Sequence, residues 1–111
     1  MTPSDWTLFR ARIATWRDRY LDRKTRDLAR ILTDGDGSPT DRFWTAHAAI
    51  RDEARTLRRC LDGSGRGSMD LQLVQMLHAG VIEDADLDDF SDDLRSWIRA
   101  WVQPLDDDPN P

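Results

Sequence analysis

The sequence predicts an all-α protein, an irregular bundle of four helices at about 5–33, 39–62, 69–79 and 85–103, with no sheet. Three observations carry this. Apolar residues recur at alternating spacings of three and four, which lines one side of a helix. Proline, glycine and capping residues fall between those stretches. No segment alternates apolar and polar residues with β-branched enrichment, as a half-buried strand does.

The first helix carries Trp6, Phe9, Ile13, Trp16 and Tyr20 on one face, with Ser4 the expected N-cap and Asp5 set favourably against the helix dipole. Its stripe then slips to Leu21, Leu28, Ile31 and Leu32, which points to a bend or a change of packing partner. Asp34-Gly35-Asp36-Gly37 ends it. Ser38 caps the second helix, with Pro39 at its first position and Asp41 at its third. There Phe43, His47, Ile50, Ala54, Leu57 and Leu61 form an unbroken apolar stripe, with His47 expected as a core histidine and Gly63 as the stop. The glycine-rich stretch 63–68 reads as a flexible connector. The third helix is apolar on more than one side and so is expected at the centre, with Gly80 as its C-cap. In the fourth, Leu87, Phe90, Leu94, Trp97 and Trp101 form the inner face, and Pro104 is the expected end. Residues 1–104 are thus expected to form a single domain, and residues 105–111 a disordered acidic tail.

At 111 residues the chain suits one domain and one core. Its single cysteine, Cys60, allows no intramolecular disulfide, and the N-terminal stretch has no basic segment followed by an apolar one. No apolar run approaches the ~20 residues that span a bilayer. These features predict a cytoplasmic protein without a membrane partner.

No pattern of catalytic or metal-ligating residues stands out. The loop from Asp34 opens with the composition of a calcium loop, but its sixth and twelfth places hold Pro39 and Thr45 instead of glycine and glutamate. The glycine-rich stretch 63–68 with Arg66 has the makings of an anion cradle, yet it follows a helix and lacks the Lys-Ser/Thr ending of a phosphate loop. His47 and His78 have no ligating neighbour at helical spacing. The expectation is therefore no enzyme, no metal and no cofactor.

Charge is more informative. Residues 1–68 carry 14 Lys/Arg against 10 Asp/Glu, while residues 69–111 carry 2 against 11. On the first helix, Arg10, Arg17 and Lys24 flank the apolar seam on one side, and Arg12, Arg19 and Arg26 on the other. Such shoulders suit an acidic neighbour, and Asp86 and Asp93 supply one within the chain. On the second helix Arg51, Arg55, Arg58 and Arg59 lie away from the stripe, and Trp44 lies beside it as an anchor of the kind found at interface hot spots. These five residues make the expected partner-binding surface of a non-enzymatic adaptor, inhibitor or regulator. The excess length of the first helix over the fourth points to a homodimer. The alternative is a nucleic-acid-binding protein using the basic faces of the first two helices, against which stands a pI near 4.9.

Overall fold

The computed structural model describes residues 2–61 and 68–106, with side chains to 102. It contains four α-helices: α1 (Pro3–Asp34), α2 (Pro39–Cys60), α3 (Met69–Ala79) and α4 (Asp92–Asp106). There is no strand among the described residues. Residues 62–67, with the expected stop Gly63 and Arg66 of the glycine-rich stretch, and residues 107–111 lie outside them; of the tail expected at 105–111, the first two residues belong to α4.

Local chemistry sets each boundary. The cap of α1 is Thr2 and not the expected Ser4. The Thr2 hydroxyl accepts from the Asp5 N–H, and the Asp5 carboxylate accepts from the Thr2 N–H, both at 3.1 Å. Ser38 and Asp41 repeat this reciprocal pair at the start of α2, again at 3.1 Å. Between the two helices, Gly37 takes φ +90°, and a side chain there would run into Asp41. The Arg42 guanidinium closes the turn by donating to the carbonyls of Leu32 and Gly37. Gly80 ends α3 at φ +78°, its N–H bonded to Leu77 O, and the Val81 N–H returns to Met76 O. Val81 and Ile82 then fold into the core.

The fourth helix departs from expectation. It begins at Asp92; the residues before it form a short 3₁₀ turn, Asp84–Leu87. Six aspartates between 84 and 93 explain the break, because they repel one another along a single helix and favour turns and caps. Ser91 restarts the helix: its carbonyl accepts from Arg95 N and its hydroxyl from Leu94 N. The inner face runs through Leu87, Phe90, Leu94 and Ile98, all buried, leaving Trp97 at its margin and Trp101 53% exposed. Pro104 does not stop the helix. So near the C-terminus its missing N–H forfeits only a bond to the Ala100 carbonyl.

α1 packs on α2, α2 on α3 and α3 on α4. One core joins them, with Met69, Leu73, Met76, Leu87 and Ile98 fully enclosed beside Phe9, Trp16 and Tyr20. At about 1.5 Å per residue, α1 is about 48 Å long and α3 about 16 Å. The shorter elements therefore cover only part of the α1–α2 hairpin. Segment 80–91 runs alongside α1 from Arg23, which donates to Gly80 O, down to Asp5, which accepts from Ser91. Beyond Arg23, α1 is tied to α2: Lys24 pairs with Glu53 at 3.6 Å, and Arg42 reaches Leu32 O. Residues 24–53 thus form a two-helix arm projecting from the body.

Candidate functional site

The arm leaves an apolar surface open. Phe43, Ile50 and Leu57 are spaced by seven and share one side of α2. Leu57 packs against the core, where α3 reaches it. Phe43 and Ile50, further along the same stripe, are 56% and 51% exposed, and Trp44 beside them is 58% exposed. The stripe expected to be core is core only at its C-terminal end, because α3 is too short to cover the rest. Ala46 is the buried residue in this half of α2.

His47 is also exposed, which corrects the expectation of a core histidine. Its ring meets Trp44 edge-on at 5.4 Å, and Trp44 meets Phe43 edge-on at 5.0 Å. Edge-to-face contacts of this kind hold aromatic rings in preferred positions. Phe43, Trp44 and His47 therefore make one continuous aromatic patch presented to solvent.

All five residues expected from the sequence lie on the exposed surface of α2. Trp44, Arg51 and Arg58 are spaced by seven and Arg55 lies between the last two, so these four share one shoulder of the helix. Arg55 has a long contact of 3.8 Å with Asp52, worth little between two exposed groups. Among the described residues Arg51 and Arg58 have no carboxylate at ion-pair distance. Arg59 lies further round and interacts with the thiol of Cys60. What the sequence missed is that Phe43 and Ile50 belong to the same surface. Their positions in a perfect helical stripe concealed this.

The basic residues of α1 are differently disposed. Arg12 pairs with Asp89 at 2.9 Å and Arg19 with Asp86 at 2.6 Å, so one shoulder meets the acidic 84–91 segment. The other shoulder faces α2: Arg17 donates to Leu61 O, and Lys24 pairs with Glu53. Arg26 and Arg30 pair with Asp22 and Asp27 on α1 itself. Two ion pairs, Arg12–Asp89 and Arg19–Asp86, thus join the basic first half of the chain to its acidic second half; of the two expected acids, Asp86 makes this contact and, among the described residues, Asp93 does not.

Groups with displaced titration sit at joints between elements. Burial raises the pKa of Asp5, but bonds from Ser91 and Thr2 outweigh it and hold the carboxyl below its ordinary value. Burial also raises that of Asp86, and there the hydrogen bond from Arg19 prevails and lowers it. Burial, then the hydrogen bond to Glu53, pushes the Tyr20 phenol well up. Burial pushes the Cys60 thiol up against the opposing influence of Arg59. These groups do not surround a common cavity. A shallow groove lies at the start of α1, between Pro3, Thr7, Leu8 and Asp89, and its one carboxylate is engaged by Arg12. Among the described residues no three His, Cys, Asp or Glu side chains are grouped as metal ligands, and no helix is long and apolar enough to cross a membrane.

No protein-family model, curated protein or solved structure matches this chain.

Proposed function

We propose that the chain is a protein-binding module of the cytoplasm, an adaptor, inhibitor or regulator, which engages its partner through the open surface of α2. One observation carries this reading. Phe43, Trp44 and Ile50 stand exposed together on one helix, the two aromatic rings in contact. Single exposed apolar side chains are ordinary, whereas a contiguous patch rimmed by polar residues marks an interaction surface. Arg51, Arg55 and Arg58 form the rim. Tryptophan and arginine are the residue types that dominate binding energy when a partner covers them.

Most cations of α1 are engaged by carboxylates and carbonyls within the chain, which weighs against the alternative of a nucleic acid lying across helices α1 and α2.

The test compares the tagged chain with its Phe43→Ser/Ile50→Ser variant, each captured with and without nuclease treatment and analysed by mass spectrometry. The expected result is a stoichiometric protein, this chain or another, held by the wild type and lost from the variant. Equal recovery from both, or recovery that vanishes with nuclease, refutes the reading.

A further inference from the structure

We infer that the open surface of α2 is covered by the same surface of a second copy of this chain. The two helices run antiparallel about a two-fold axis between His47 and Ile50. This rests on the reading of that surface as a docking site and names its occupant.

A two-fold interface must be self-complementary: if residue i meets residue j, then j meets i. α2 meets this requirement in three ways. The first is size. The open stripe runs from Phe43 through His47 and Ile50 to Ala54, about 16 Å at 1.5 Å per residue. Reversed about its midpoint, it lays the Phe43 ring over the small Ala54 of the second copy and His47 beside Ile50. Large against small is how facing helices interdigitate. Leu57, the next residue of the stripe, is already packed against the core, which blocks sliding in that direction.

The second is the shoulder. In an antiparallel pair, like shoulders face each other in reversed order. That places Trp44 within a turn of Arg51 from the second copy. Arg51 has no carboxylate partner of its own among the described residues. A guanidinium over an indole is a favourable contact, more so when desolvated.

The third is charge, and it decides the direction and the occupant. Residues 34–42 carry three aspartates and one arginine, whereas residues 51–59 carry four arginines and two acids. The helix is therefore acidic at its entry and basic toward its end. Parallel pairing superposes like charges at both ends; antiparallel pairing brings Asp34 and Asp36 toward Arg55 and Arg58 twice. A uniformly acidic partner would satisfy the arginines and be repelled by the aspartates. A second copy satisfies both.

The experiment is sedimentation equilibrium of the full chain from about 1 μM to about 1 mM. The wild type is expected to rise from the 12.8 kDa chain mass to twice that value. Two charge-swap variants follow, Arg55→Glu/Arg58→Glu and Asp34→Lys/Asp36→Lys, each checked for an unchanged helical spectrum and melting transition. Each alone is expected to stay monomeric where the wild type is dimeric, because each now repels its own copy at both ends. An equimolar mixture is expected to regain the dimer, since the mixed pair is complementary at both ends. A wild type that stays monomeric throughout overturns the inference, as does a dimer indifferent to both swaps or a mixture that fails to recover. If the wild type is monomeric yet still captures another protein that the Phe43→Ser/Ile50→Ser variant loses, the docking surface stands and this occupant falls.

Discussion

Asp5 and Ser91 join the starts of two helices through one buried carboxylate. Asp5 accepts the Ser91 N–H at 2.9 Å and its hydroxyl at 2.6 Å while it completes the cap of α1 with Thr2. Ser91 in turn caps α4 through the Leu94 N–H. Both helix dipoles thus place their positive ends beside the same negative charge.

Replacing Asp5 by Asn keeps the shape but points an amide N–H₂ at one of these donors. The expected cost is about 1–3 kcal/mol in urea unfolding at neutral pH. Asp5 and Asp86 both have lowered folded-state pKa values, so the stability they contribute is present above the ordinary carboxylate value near 4 and lost as pH falls through the folded one. The gap between wild type and Asp5→Asn should therefore narrow below about pH 4. A gap that is constant with pH would show that the charge on Asp5 is immaterial.

Tyr20 is the one tyrosine of the chain, so its ionisation can be followed alone in the ultraviolet. Burial and the bond to Glu53 raise its pKa. In an alkaline titration, tyrosinate absorbance should stay absent at the ordinary midpoint near 10 and appear only as the helical signal is lost. Tyr20→Phe should lower stability by about 1 kcal/mol. Tyrosinate formation near pH 10 with helicity intact would contradict the buried placement.

Gly80 sits at φ +78° with nothing within 4 Å of where a Cβ would lie. Space is therefore no obstacle, and any cost of Gly80→Ala is backbone strain. About 1–2 kcal/mol is expected. Gly80→Asn should cost less, because asparagine tolerates the left-handed region. Thermal melts of the two variants rank them directly.

The open surface of α2 should matter little to the fold of the isolated chain. Phe43→Ser and Ile50→Ser are each expected to change monomer stability by no more than about 0.5 kcal/mol. Leu73→Ala, in the enclosed core, should cost about 2–5 kcal/mol. Measured in dilute solution, a large loss from Phe43→Ser would mean that the ring is buried after all.

Fold class and three of the four helices were legible because capping pairs and apolar period act locally: Ser38-Pro39 and Asp41 fix one start, and Gly80 fixes one end. The fourth start was not. Leu87, Phe90 and Leu94 keep helical spacing across the turn at 88–91, since a 3₁₀ segment also places side chains three apart. Trp44 and its arginines were legible as a surface. Phe43, His47 and Ile50 were not, because a stripe announces that a helix has an apolar side and says nothing of whether a neighbour is long enough to cover it. That depends on α3, whose length matters only once the helices are laid side by side.

The projecting arm has a hydrodynamic consequence. The molecule measures 51 × 42 × 20 Å, two helix layers thick, and its radius of gyration is 16.8 Å against about 13 Å for a compact chain of this length. A plate of this kind entrains more solvent and tumbles more slowly than a sphere of equal mass. On a sizing column calibrated with round proteins the monomer will elute early, toward the position of a larger species. Shape-independent mass, from sedimentation equilibrium or light scattering, is therefore the measure by which copies should be counted.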